Sequence, residues 1–197
     1  MAIVVTSEPA NEPLTAADNA KLHMRDVTDD DALIDLYIKA ARIWVESAIK
    51  RAFITQTIRY SLDKWPNRNH ISLPRPPLQS VTQIVYLDED GTSNTWASSN
   101  YIVDTDSEPG RVHLAANQTW PSTTLYPSNA IQITYIAGYG DDATDVPETW
   151  RQAIRLLVGH WYENREAAVL TGAVPKSIPF AVESLIDVNA NFVFENE

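Results

Sequence analysis

Residues 133–166 read ITYIAGYGDDATDVPETWRQAIRLLVGHWYENRE and contain the change from strand to helix. They pass from alternating, strand-like residues through a glycine turn into residues with helical spacing. Pro147 stands where the first residue of a helix belongs, so a helix is expected after Asp145. The spacing Gly138-x-Gly140-x-x-Ala143 resembles a dinucleotide-binding turn. The first question is therefore whether this turn binds a cofactor or only shapes the chain.

The glycine turn predicts a structural corner. In a dinucleotide site the helix begins at the glycines, and its free N–H groups face the pyrophosphate. Here the predicted helix begins several residues later, and acidic Asp141, Asp142 and Asp145 stand where the phosphates would lie. No second strand–helix unit follows. We therefore expect no cofactor.

The composition is that of an ordinary globular protein, with 197 residues, 44% hydrophobic and 21% charged. Because the chain contains no cysteine, disulfides, thiolate metal sites and cysteine nucleophiles are excluded. Neither an apolar run near twenty residues nor a secretion signal is present, so no membrane association is predicted. The formal charge of −11 disfavours tight binding to a phosphate backbone, but it does not exclude a surface that DNA passes without sticking.

Helical spacing flanks a segment of strand-like alternation. Residues 14–54 predict a short and a long helix, residues 55–137 predict five or six short strands, and residues 145–188 predict further helices. This order predicts an α+β fold, mostly α-helical, with a small antiparallel β-sheet or barrel inserted between the helices. We expect a flexible arm over 1–13, a single domain over 14–188 and a C-terminal tail over 189–197.

The long predicted helix has two apolar rows, which together are broader than one packed face requires. One row contains Leu33, Leu36 or Tyr37, Ala40, Trp44 and Ala48; the other contains Ile34, Ile38, Ala41, Val45 and Ile49.

No group of residues predicts catalysis. His160 and Glu163 share a helix face, but a metal site needs further ligands, and the other histidines are His23, His70 and His113. The run Asp29-Asp30-Asp31 is typical of a solvated helix N-terminus. We therefore expect no metal site, although a pocket gathering His113, His160 and carboxylates would favour a hydrolase or metal enzyme.

Several short motifs occur in a recognisable order along the chain. They are Glu12-Pro13-Leu14-Thr15, Ala40-Ala41-Arg42-Ile43-Trp44-Val45-Glu46, Phe53-Ile54-Thr55-Gln56-Thr57, Leu73 to Val81, Tyr135 to Gly140, Val146-Pro147-Glu148, Arg151-Gln152-Ala153-Ile154 and His160 to Arg165. In order and spacing the chain resembles the head–tail connector (head-completion adaptor) family of tailed bacteriophages and prophages. The resemblance covers about Glu12 to Asp187, and residues 189–197 lie beyond the usual ending.

The resemblance implies a structural protein of the virion neck and not an enzyme. Such proteins assemble in the host bacterial cytoplasm as a ring, commonly of twelve copies, beneath the portal protein. The ring extends the DNA channel and provides the docking platform for the next neck or tail protein. DNA is then expected to pass through an acidic lumen without tight binding.

The resemblance also gives a use to two apolar features. We expect the row Ile34, Ile38, Ala41, Val45 and Ile49 to form the subunit interface, and Phe192, Val193 and Phe194 in the tail to contact the portal or a neighbouring subunit. A tail folded back on its own core stays open as an alternative. So does a monomeric β-barrel binding module that exposes Trp96, Tyr101 and Trp120 on one patch.

Overall fold

The computed structural model describes residues 1–15, 30–163 and 180–189. Within these ranges the chain forms eight β-strands and three α-helices. The strands are β1 (Ala2–Ser7), β2 (Gln56–Leu62), β3 (His70–Ser72), β4 (Leu78–Leu87), β5 (Ser93–Trp96), β6 (Tyr101–Asp104), β7 (Arg111–Leu114) and β8 (Ile131–Ala137). The helices are α1 (Asp31–Ile49), α2 (Glu148–Glu163) and α3 (Phe180–Asn189).

The chain divides into two compact units. The sheet unit contains Met1–Ala10 and Lys50–Tyr139, and therefore all eight strands. The helical unit draws its described residues from Asn11–Ile49 and Gly140–Glu195, and contains the three α-helices.

In the sheet unit every strand pairing is antiparallel. One sheet has the order β1-β2-β8-β4-β5, and the other has the order β3-β7-β6. The central strand β8 alternates as the sequence predicts, because Ile131, Ile133, Tyr135 and Ala137 are buried while the residues between them are only half-buried.

The two sheets share one hydrophobic core. Ile71 and Val112 of the smaller sheet belong to the same buried cluster as Ile58, Ile84 and Ile133 of the larger sheet. Burial of Tyr135 raises the pKa of its phenol, whose hydroxyl donates a hydrogen bond of 2.5 Å to the carbonyl of Pro74.

The prediction of a mostly α-helical fold with a small inserted sheet is wrong. Eight strands in two antiparallel sheets form a complete unit of their own, against three α-helices in the described residues. The long helix was predicted to run to Phe53, with Lys50 and Arg51 in its last turn, but α1 ends at Ile49, and Lys50 adopts a φ of 59°. From there Ala52 is already bonded within the sheet unit, donating to the carbonyl of Pro76 at 3.0 Å.

Two strands were not predicted, although the β-branched run Ile3-Val4-Val5-Thr6 of the first one favours a strand. Residues 2–7, within the predicted arm, form β1 by pairing with β2 more than fifty residues later in the chain. The other is β5, whose sequence Ser-Asn-Thr-Trp is mostly polar because the strand lies at the edge of the sheet and exposes Ser93 and Thr95.

In the helical unit α1 packs against α2 and α3. The predicted apolar face of α2 is largely buried, as Trp150, Ala153, Ile154, Leu157 and Val158 show.

Gly138, at the end of β8, is held close to another part of the backbone. Its φ is +136°, a conformation that residues with a side chain rarely adopt. A Cβ atom there would lie 2.6 Å from the carbonyl carbon of Ile54 and from the nitrogen of Thr55. The Gly138 N–H donates to the carbonyl of Pro77 at 3.0 Å, so the backbone has no freedom to move aside without losing this bond.

We predict that Gly138→Ala lowers the free energy of unfolding by more than about 2 kcal/mol, because backbone strain adds to a steric clash. Gly91→Ala is the matched control, since Gly91 also has a positive φ (+81°) but its nearest contact to an added Cβ is 3.8 Å, to Tyr126. The control is expected to lose about 1 kcal/mol. Urea unfolding of both variants measures the difference, and equal losses would contradict the role of the close backbone contact.

Candidate assembly surfaces

The five residues predicted to form the subunit interface lie inside the chain. Ile34, Ile38, Ala41 and Val45 are fully buried, and Ile49 is 7% exposed. This face of α1 belongs to the helical core, and whether these residues also reach a neighbouring subunit stays a prediction. The sequence contained a signal for the core side, because this row is the more uniformly aliphatic of the two, whereas the other includes Tyr37 and Trp44.

The opposite face of α1 carries exposed apolar side chains. Leu36 is 65% exposed and Ile43 is 46% exposed, and exposed Ala40 lies between them. At 100° per residue the three positions lie within about 60° of one another around the helix. We call Leu36, Ala40 and Ile43 the outer stripe. A contiguous apolar strip on a helix surface is typical of an interaction site.

A buried ionic network fixes α1 to the segment that precedes it. The Arg42 guanidinium donates from Nε to Glu12 Oε2 at 2.6 Å and from Nη1 to Glu46 Oε2 at 2.9 Å. The Arg42 and Glu46 side chains are both less than 5% exposed. Burial alone lowers the pKa of Arg42, but its bonds and charge interactions with the two carboxylates raise it above its usual value. The motif that begins at Glu12 and the motif that contains Arg42 were both noted in the sequence, but the sequence did not reveal that these two residues form an ion pair.

A second network lies within the sheet unit, beside the end of α1 in the sequence. Arg51 donates to the hydroxyl of Tyr139 at 3.0 Å and pairs with the carboxylate of Glu108. Burial lowers the pKa of Arg51, while the bond to Glu108 and the neighbouring Tyr139 raise it above the ordinary value. Arg51 therefore links a loop of the sheet unit to the residue that follows Gly138.

The carboxylate of Asp145 fills the glycine turn that resembled a cofactor site. A Cβ atom on Gly140 would lie 2.1 Å from Oδ2 of Asp145, and the same oxygen accepts a 3.0 Å bond from the N–H of Asp142. Asp145 ends a short 3-10 helix over Ala143–Asp145, and α2 begins at Glu148. The carboxylate lies where a phosphate would need room and positive charge, so the geometry is that of a capped turn.

Two of the histidines considered as metal ligands lie side by side. His70 on β3 pairs with His113 on β7, and their ring centroids are 5.1 Å apart. Burial and then the charges of His113, Arg111 and Arg68 lower the pKa of His70. His160 belongs to the helical unit. Among the described residues no group of three or more His, Cys, Asp or Glu could hold a metal ion.

The aromatic residues proposed for a binding patch pack against one another. Trp96 is buried and lies 5.3 Å from Tyr101 and 5.1 Å from Trp120 by ring centroids. Trp120 stacks on Trp65 at 5.0 Å, and its indole N–H donates to the carbonyl of Arg68 at 2.8 Å. These rings extend the core of the sheet unit, so they do not form the exposed patch that a binding module would need.

The predicted contact of the tail with the portal or a neighbouring subunit involves Phe192, Val193 and Phe194, which lie outside the described residues. None of the helices in the described ranges is long and apolar enough to cross a membrane.

A family model described as "Head completion protein" matches residues 14–184. The chain belongs to the head completion protein family. A search of curated proteins gives no match.

Three solved structures of similar fold come from gene transfer agent (GTA) particles. One chain, from "Virion of native gene transfer agent (GTA) particle", is 23% identical with a TM-score of 0.76, and the match covers 95% of this chain and 94% of that one. A second, from "Neck of empty GTA particle computed with C6 symmetry", is 24% identical with a TM-score of 0.75 and the same coverage of 95% and 94%. A third, from "Neck of native GTA particle computed with C12 symmetry", is 22% identical with a TM-score of 0.72, again with 95% and 94% covered. At these identities the similarity establishes the fold, which this head completion protein shares over nearly its whole length.

For this head completion protein we predict that Arg42→Met lowers the free energy of unfolding by about 3–5 kcal/mol, because it leaves the buried Glu46 carboxylate without its cation. At 2–4 °C per kcal/mol this is a fall of roughly 6–20 °C in melting temperature. The double variant Arg42→Met/Glu46→Leu should recover most of the loss, because the buried charge is gone. Calorimetry of both variants checks this, and a double variant no more stable than the single one would argue against the network.

Proposed function

We propose that the protein is a non-catalytic structural component of the neck of a tailed-phage-like particle, where it forms a ring beneath the portal protein. The observation that carries the proposal is the family match over residues 14–184, together with a fold shared with neck chains over 95% of this chain. The ring completes the filled head, extends the DNA channel and offers a docking platform to the next neck or tail protein. Assembly takes place in the host bacterial cytoplasm, and the finished protein resides in the virion.

Twelve copies are the proposed ring number. The description of one similar structure names C12 symmetry and that of another names C6, which is a subgroup of C12. A cyclic ring of this kind uses heterologous contacts, in which one patch of a subunit meets a different patch of its neighbour. The two surfaces of an interface therefore need not resemble each other.

The outer stripe of α1 is the proposed contact between subunits. Leu36 and Ile43 project from a helix whose other face is fully used by the chain's own core. Because Leu36 is 65% and Ile43 is 46% exposed, covering the exposed part of each contributes about 0.7–2 kcal/mol, and the contribution repeats at every interface of the ring. Ala40 between them lets a neighbouring backbone approach closely. This assignment differs from the sequence-based one, which had the row beginning with Ile34 at the interface. Leu36 and Ala40 belong to the other predicted row, and Ile43 belongs to neither.

The acidic charge suits a channel through which DNA moves. Twelve copies, each with a formal charge of −11, together carry −132. Like charge on a channel wall repels the phosphate backbone and keeps DNA from adhering. In the proposed ring, repulsion from the acidic lumen keeps DNA away from the channel wall.

We predict that Leu36→Asp/Ile43→Asp prevents ring formation while the monomer stays folded, because both side chains are exposed and α1 keeps its buried face. The matched control is Ala48→Asp, an exposed position on the same helix about 120° away from Leu36. Light scattering after size-exclusion chromatography, with and without portal protein, gives the mass, and circular dichroism confirms folding. Rings formed normally by the double variant would exclude the outer stripe as the interface.

We further predict no measurable binding to duplex DNA near physiological salt. The net charge is −11, and tight binding driven by counterion release needs clustered Lys and Arg. Fluorescence anisotropy with a labelled duplex measures this. A dissociation constant tighter than about 10⁻⁶ M, the usual limit of non-specific binding, would contradict it.

A further inference from the structure

The first strand of the chain is an open sheet edge. Among the described residues β1 pairs with β2 alone and stands at the end of the five-stranded sheet. Its sequence Ala-Ile-Val-Val-Thr-Ser contains neither a charged residue nor a proline, which are the usual protections of an edge strand. Its one irregularity, a register shift between Val5 and Ser7, leaves the residues from Ala2 to Val5 regularly paired.

This edge also exposes apolar side chains on both faces. Ile3 is 46% exposed and Val4 is 42% exposed. Ile3 pairs with the buried Tyr60 and so lies on the core side, whereas Val4 pairs with Arg59, which is exposed on the other side. A strand added to β1 would therefore meet an apolar surface on one face and a cation on the other.

A cavity adjoins the core side of this edge. It has a volume of about 200 Å³, and its walls include Met1, Tyr60, Leu62 and Ile71. An apolar cavity of about 150 Å³ is known to hold a benzene ring, so this one is large enough for the ring of a phenylalanine.

We propose that the C-terminal segment of a neighbouring copy, residues 190–197, adds to β1 as an extra strand. Its sequence Ala-Asn-Phe-Val-Phe-Glu-Asn-Glu alternates as the edge requires. With Phe192 and Phe194 on the core side, period two places Val193 and Glu195 on the side of Arg59. Strands two apart are separated by about 9.5 Å, a distance that glutamate and arginine side chains together span.

The occupant is a second copy because every subunit carries both the edge and the segment. Such a pair of unlike surfaces is what a closed cyclic ring needs, so this inference rests on the proposed ring. Eight residues reach about 26 Å when extended, which exceeds the about 20 Å that the six residues of β1 span. Main-chain hydrogen bonds supply affinity, and the alternating side chains supply specificity.

The absence of cysteine from the chain permits a direct test. Full-length Val4→Cys protein is mixed with full-length Val193→Cys protein, and separately with Glu195→Cys protein, under mild oxidation. Only disulfides between chains can form in these mixtures, and paired strands bring Cα atoms within the range a disulfide requires. Ser93→Cys, on the exposed edge strand at the other end of the same sheet, is the matched control for Val4→Cys.

We expect at least tenfold more covalent dimer with Val4→Cys than with Ser93→Cys. Arg59→Glu in the Val4→Cys chain should lower the yield of disulfide with Val193→Cys severalfold, and Glu195→Arg in the partner chain should restore it. Equal yields from both edges overturn the inference. A separate chain that carries both Val4→Cys and Val193→Cys provides a further check. A disulfide within its monomers would place the tail on its own sheet and overturn the inference. Rings without the Val4 disulfide overturn this inference alone, whereas the absence of both rings and disulfide overturns the proposed function as well.

Discussion

The missing side chain at Gly138 lets the last central strand end in direct contact with the backbone of Ile54 and Thr55, and the sheet unit depends on that contact. These two backbones are the segment that enters the unit after α1 and the segment that leaves it before α2. Both are held by main-chain bonds, since Tyr139 donates to the carbonyl of Phe53 at 2.8 Å. The entering and leaving segments of the sheet unit therefore meet at Gly138. A methyl group at this position would clash with the backbone of Ile54 and Thr55 and strain both segments.

In the helical unit, α1 has a buried face in the core and an exposed apolar face that we propose for contact with a neighbouring subunit. The inner face of α1 is completely buried, and Arg42 neutralises the one carboxylate of the helix that is buried with it. With the helix held in this way, Leu36 and Ile43 on the outer stripe are presented from a rigid element. Rigid presentation lowers the entropy lost on association, which would favour the contact that we propose between subunits of a ring.

The sequence predicted what depends on local pattern. The period of two in β8, the apolar face of α2 and the structural role of the glycine turn are all local, and the motif order led to the family that the comparison with the family model confirms. What depended on distant partners was missed. The pairing of β1 with β2 joins residues about fifty or more positions apart, and the assembly of eight strands into one unit likewise depends on long-range pairings that the sequence did not reveal. The choice between the two rows of α1 also depends on which one α2 and α3 cover, and the more uniformly aliphatic row was a local signal for the core side that the prediction did not use.

We propose that the chain forms a cyclic ring beneath the portal protein through an exposed face of α1. Electron cryomicroscopy of the purified protein mixed with portal protein can show whether it does. We expect a ring of twelve copies bound coaxially to the portal, with Leu36 and Ile43 of each subunit covered by its neighbour. Portal particles that carry no added ring, or a ring in which both residues face solvent, would contradict it.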